Sequence, residues 1–240
     1  MTEEVRTIFQ VSLLQALCQG DYEGHLSIPE LKMHGDTGLG TFDCLDGEMI
    51  MLDGIVYRAS SDGTVAEVKD DSTPFACVTF FENDLSPVIT ASSSQEFSEK
   101  MDAVLNEAGT NSPYFVRIHS RFPHMLLRSV PKQSRSGPPL SQVVEEQQVT
   151  WEVEDIEGTI VGLFCPSFMS ALNSHGWHLH FISDDRKVGG HVLDLLMVGS
   201  TCDISRMDSL SILLSGTFDF QSKDFDTDRA EEIRRIESIQ

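Results

Sequence analysis

The chain has no Cys-x-x-Cys pair, no internal repeat and no low-complexity tract. It also has no apolar run near the roughly 20 residues that cross a bilayer. The missing cysteine pair removes the usual redox and zinc-ribbon signatures. The five cysteines present are an odd, scattered number (Cys18, Cys44, Cys77, Cys165, Cys202) and read as reduced, mostly buried thiols. Basic residues are scarce: 17 Lys and Arg stand against 38 Asp and Glu, a formal net charge of -21. A surface so acidic repels nucleic acid and anionic membranes, so neither is an expected partner. The first residues, Met1-Thr-Glu-Glu, carry acids where a secretory leader carries bases, which points to the cytoplasm.

What is present suits a globular chain. With 240 residues, 40% of them apolar and 8% aromatic, there is enough material for a real core. Ile8, Val11, Leu14 and Leu17 recur near helical spacing and predict a helix over 6–18 that Gly20 stops. Ser27-Ile-Pro-Glu30 is a capping-box pattern for a short second helix. A longer helix runs from Ser94 to Ala108, with Phe97, Met101, Val104 and Leu105 inward and Gly109 at its end. Strands are predicted at 74–82, 114–119, 125–130, 147–154 and 158–164. Gly38 and Gly40 read as freedom for a tight turn, because no Lys-Ser/Thr follows to make a phosphate loop. Helices are few and do not alternate with strands, so the class is strand-rich mixed α/β, nearer α+β than doubly wound. The Pro/Ser/Gly-rich stretch 131–139 is the best linker. It divides the chain into an N-terminal mixed α/β part (1–131), a linker (132–143) and a strand-rich C-terminal part (144–240).

The stretch 175–191 carries the chemistry. His178 and His180 are two apart, so on a strand they share a face. Asp184, Asp185, Gly189 and Gly190 supply turn residues, and His191 opens the next apolar run. If the turn centres on Asp185-Arg186 without a bulge, His191 falls opposite His180 and three imidazoles meet. Such a set suits zinc, iron, copper or nickel, and three protein ligands leave open positions, the catalytic pattern. Spacing alone also partly fits a cupin-type oxygenase or isomerase, with Asp184 as a fourth ligand. A non-enzymatic protein with a structural zinc is the third reading. His25, His119 and His124 read as structural or exposed.

Resemblance narrows the choice. Segments 7–17, 34–42, 45–50, 74–81, 128–133 and 175–194 resemble, in order, those of bacterial alpha-acetolactate decarboxylases. The resemblance implies a zinc enzyme that converts 2-acetolactate to acetoin and carbon dioxide, with two sheet-based parts and a homodimeric assembly. It implies that zinc is held by His178, His180 and His191. Carried over residue by residue, it places site glutamates at Glu48 and Glu237, with Glu231 and Glu232 competing for the second. It places a site arginine at Arg128 and a site hydroxyl at Thr41. Either glutamate then serves as the proton donor. His175, close to the site but off the ligand spacing, is expected beside it. The chain departs from the pattern in the loop 134–137 and at Ser129, where threonine is frequent.

Overall fold

The computed structural model describes residues 5–237, so the acidic start Met1–Glu4 lies outside them. In chain order the strands are β1 (Thr7–Val11), β2 (Leu26–Ser27), β3 (Thr37–Thr41), β4 (Glu48–Leu52), β5 (Ile55–Ala59), β6 (Val65–Glu67), β7 (Ser72–Thr73) and β8 (Ala76–Thr79). They continue with β9 (Val88–Ala91), β10 (Tyr114–Ser129), β11 (Val149–Cys165), β12 (Gly176–Ser183), β13 (Gly189–Thr201), β14 (Asp203–Arg206) and β15 (Ser209–Leu213). The helices are α1 (Leu14–Cys18), α2 (Ile28–Leu31), α3 (Ser94–Ala108), α4 (Leu140–Gln147), α5 (Phe218–Ser222) and α6 (Ala230–Glu237). The strand-rich α+β class is as expected.

Two sheets organise the chain. The first has seven strands in the order β15-β1-β8-β3-β4-β5-β6. The second has six, β14-β10-β11-β12-β13-β9, and β10 also pairs β13. That extra pairing is possible because β10 is 16 residues long. Its first residues pair β14 and its last pair β13, so β10, β11, β12 and β13 close into a ring. Its ring-interior core, with Phe122, Leu127, Phe181 and Val192, is sealed by Phe97, Met101 and Leu105 of α3. The sheets pack face to face through Leu39, Phe75, Phe115 and Leu163 on one side and Ile50, Ala59, Val161 and Ile182 on the other. Met49, Met51, Ala76 and Val78 point to the first sheet's opposite face, under Ile28 and Leu31 of α2.

Local chemistry explains where the expectations held and where they failed. Ser27 caps α2 through the reciprocal bonds of a capping box with Glu30. Helix α3 spans the predicted residues, with Gly109 at φ 116° ending it. The helix predicted over 6–18 is instead a strand followed by one short helix. Residues 7–11 are drawn into a parallel pairing with β15, a partner some 200 residues away, and Ser12 at φ 58° turns the chain into α1. Tertiary pairing overrides a local period there. The strands expected at 114–119 and 125–130 are one continuous β10, and the strand expected over 74–82 shortens to β8. Gly38 and Gly40 lie inside β3, not in a turn. A Cβ on Gly38 would fall 2.3 Å from the carbonyl oxygen of Cys77 in β8, and one on Gly40 2.4 Å from that of Phe75 just before it, so glycine permits close strand approach.

The segment 132–143 is tied down. Gln133 N donates to Cys44 O and Tyr22 N to Arg135 O, and α4 begins at Leu140. The sheets also interleave across it: β9 and β10 precede it and join the second sheet, while β15 follows it and edges the first. All five cysteines are free, four of them buried. No helix among the described residues is long and apolar enough to cross a membrane.

Candidate metal centre and acid site

The β12–β13 turn is tight because its side chains replace missing backbone partners. Ser183 Oγ accepts from Val188 N at 3.0 Å and donates to Asp185 Oδ1 at 2.8 Å. Arg186 takes the left-handed φ of 58° at the tip. Gly189 and Gly190 continue the ladder without a bulge, and His180 lies directly opposite His191. On the far side of β13, His191 lies opposite Arg128 of β10. Arg128, His191 and His180 therefore form one row across three neighbouring strands. His178 joins them from the same face, two residues along β12.

The three rings are buried, and one ligand atom from each lies within 4.8 Å of the others. His178 Nε2 and His180 Nε2 are 3.1 Å apart. His180 donates its Nδ1 proton to the carbonyl of Met49 at 2.8 Å, which leaves its Nε2 lone pair facing the cluster. His178 Nδ1 and His191 Nδ1 are buried with no hydrogen-bond partner among the described residues. Burial drives all three imidazoles toward the neutral form, and the nearby Arg128 charge adds to it: His180 is lowered to about 4, and His178 and His191 go well below their usual value. Neutral imidazoles with converging lone pairs are the form that binds a metal ion, so these residues fit one.

Carboxylates reach this cluster from the other sheet and from the end of the chain. Glu48, the first residue of β4, puts Oε2 3.5 Å from His180 Nε2. Glu237, on the last described turn of α6, puts Oε2 3.5 Å from His178 Nε2 and 3.8 Å from His191 Nδ1. Arg128 Nη2 donates to Ile236 O at 2.6 Å and lies 3.4 Å from Glu237 Oε2. Burial pushes Glu48 up to about 8; Arg128 opposes the rise and Glu237 reinforces it. Burial also raises Glu237, against the pull of Arg128. Thr41 lies opposite Glu48 in the β3–β4 ladder, but its hydroxyl donates to Gly47 O at 2.7 Å.

Other residues singled out in the sequence fall elsewhere. Asp184 is exposed and pairs with His119 at 3.0 Å, away from the triad, which removes the cupin-type fourth ligand. Glu231 pairs with Arg234 and Arg235, and Glu232 accepts from Ser141, so of the three tail glutamates only Glu237 faces the histidines. His175 lines a groove with Asp102 and Trp177. The cavity at the site has a polar end of Thr41, Glu48, Arg128, His178, His180 and Glu237. Its apolar end comes from Leu14 and Leu17 of α1, Leu140 and Val144 of α4, and Leu45, Phe75 and Val130. Sequence reasoning placed none of these apolar residues at the site and did not single out the Met49 carbonyl; Ser129 stood out only as a departure from the family pattern. No local pattern separates an apolar cavity wall from ordinary core.

Comparison with known proteins gives the family and the fold. The family model described as Alpha-acetolactate decarboxylase matches residues 8–227. An alpha-acetolactate decarboxylase of Methanosarcina mazei is 38% identical over 234 residues, covering 96% of this chain and 80% of that one. The enzyme of that name from Bacillus subtilis strain 168 is 35% identical, covering 98% and 92%. The crystal structure of alpha-acetolactate decarboxylase from the same strain superposes with a TM-score of 0.90 at 34% identity, covering 96% of this chain and 99% of that one. A Staphylococcus aureus protein of unknown function, similar to alpha-acetolactate decarboxylase, superposes with a TM-score of 0.88 at 31% identity, covering 96% and 100%.

Proposed function

The chain belongs to the alpha-acetolactate decarboxylase family, and from that premise we propose that it converts 2-acetolactate to acetoin and carbon dioxide with zinc as its metal. The observation that carries the reading is the convergence of one arginine and two buried glutamates on three neutral histidines. His178, His180 and His191 hold the ion. When bound, zinc acts as a Lewis acid that draws electron density toward the substrate's ketone and hydroxyl oxygens.

The remaining work falls to the chain's own groups. The Arg128 guanidinium binds the substrate carboxylate and orients the carbon–carbon bond that breaks. Loss of carbon dioxide leaves electrons on the former ketone, and one proton must then reach the carbon that lost the carboxylate. We assign that proton to Glu48. Arg128 stands 3.4 Å from Glu237 and opposes the rise that burial gives it, whereas Glu48 lies in the first sheet with no Arg or Lys paired to it among the described ion pairs. A donor fixed on one side of the substrate gives one acetoin enantiomer. Glu237 closes the site from the tail, and Thr41 holds the turn before Glu48. The apolar end of the cavity excludes water and receives the methyl groups.

The same reading includes a homodimer in the cytoplasm; the exposed apolar side chains Leu213 and Leu214 at the end of edge strand β15 and Phe218 at the start of α5 support the dimer. Incubating zinc-loaded protein with racemic acetolactate tests the activity. Carbon dioxide and optically active acetoin are expected. Intact substrate after prolonged incubation overturns the reading.

A further inference from the structure

Glu48 belongs to the first sheet, whereas Arg128 and the three histidines belong to the second. The geometry of the site is therefore set by the gap between two sheets. Beside the site, two hydrogen bonds cross that gap to the β4–β5 hairpin. One runs from His180 Nδ1 to the carbonyl of Met49, the residue after Glu48, at 2.8 Å. The other runs from Ser129 Oγ to the carbonyl of Ala59 at 2.9 Å. Ala59 is the partner of Glu48 across the β4–β5 ladder, and Ser129 follows Arg128 directly on β10. Ser129 is fully buried. Glu48 is thus bracketed, its chain neighbour tied to a histidine and its cross-strand neighbour tied to the arginine strand.

Apolar packing and the Arg117–Asp53 bond at the hairpin's turn hold the two sheets together, and the Ser129 bond fixes the local setting of the hairpin beside Glu48. We propose that Ser129 is a positioning residue whose hydroxyl sets where the Glu48 carboxylate stands relative to Arg128 and the histidines. The hydroxyl of Thr41 does not do this, because its bond to Gly47 O stays within the first sheet. Arg128 and the histidines share the second sheet, so the metal site and the carboxylate grip do not depend on Ser129. The proposal rests on the decarboxylase reading, since it concerns the proton donor of that reaction.

The test compares zinc-loaded wild type with Ser129→Ala and Ser129→Thr, using racemic acetolactate and reading kcat, KM, acetoin enantiomeric ratio and bound zinc. Ser129→Ala is expected to lower kcat roughly 10- to 100-fold, the scale on which small misplacements act. KM and zinc content stay near wild type, and the acetoin moves toward the racemate. Ser129→Thr keeps the hydroxyl and restores both kcat and enantiomeric ratio. Wild-type kcat and ratio in Ser129→Ala overturn the positioning role alone. Joint loss of zinc and activity also overturns it, because the residue then supports the fold and not the setting of Glu48. A wild type that leaves acetolactate intact overturns the decarboxylase reading, and the role of Ser129 with it.

Discussion

The β12–β13 hairpin and helix α6 meet at one point, yet they are held there by different means. The hairpin lies inside the second sheet, with β11 on one side and β10 on the other, and its histidines inherit their spacing from the ladder. Helix α6 has eight residues, too few to be stable alone, and docks through Ile233, Ile236 and the bond from Arg128 to the Ile236 carbonyl. One region is rigid because backbone pairing over-determines it. The other is held by side chains: Ile233 and Ile236, the bond from Arg128, and the bond from Ser141 of α4 to Glu232. The spacing of the histidines therefore belongs to the sheet, whereas the tail carboxylate depends on the docking of a short helix.

Breaking the hairpin gives the largest effect. His178→Ala removes one of three ligands, so metal binding and turnover fall together; activity that survives with less than about a tenth of the metal bound contradicts the ligand assignment. Metal analysis beside a turnover assay reads this directly.

Cutting the link between the regions comes next. Arg128→Ala removes both the carboxylate grip and the anchor of α6. Turnover is expected to fall about 100-fold or more, in line with the loss of a charge-assisted contact used in the transition state, while zinc content holds. Limited proteolysis of the tail speeds up in the same variant. Unchanged catalytic efficiency removes Arg128 from the mechanism, and an unchanged cleavage rate removes it as the anchor.

The smallest effect concerns the acid strand and is read in the metal-free protein. Glu48 titrates at about 8 in the fold, against 4.5 for an ordinary glutamate. Between those values the folded chain holds a proton that the unfolded chain has released. Its contribution is fully present below 4.5 and is lost as pH rises through about 8. Glu48→Gln has no such dependence, so its thermal midpoint gains on wild type from pH 5 to pH 8. A difference between the two proteins that stays constant over that range contradicts the burial of Glu48. The same variant, once zinc-loaded, is expected to lose turnover, the usual conflict between a buried functional acid and stability.

Much of this was legible in the sequence because some devices are local. The hairpin is one: His178, His180 and His191 lie within fourteen residues, and two-residue alternation plus turn chemistry set their faces and register. The capping box at Ser27 and the helix from Ser94 are others, written in neighbouring residues. Glu48, Arg128 and Glu237 were legible only as a resemblance, since nothing around any of them marks a site. Residues 7–11 misled for the same reason in reverse, their period being overridden by a partner near residue 211.

By itself, then, the sequence determined the three-histidine hairpin, the strand-rich class and the acidic surface, since alternation, turn residues and charge act over a few bonds or not through the fold at all. Only the tertiary structure decided that Glu48 and Glu237 face the histidines, that Asp184 does not, and that Ser129 joins the two sheets beside the site. Those are distances between segments roughly 50 to 190 residues apart, fixed by packing two sheet faces and one helix around a shared core.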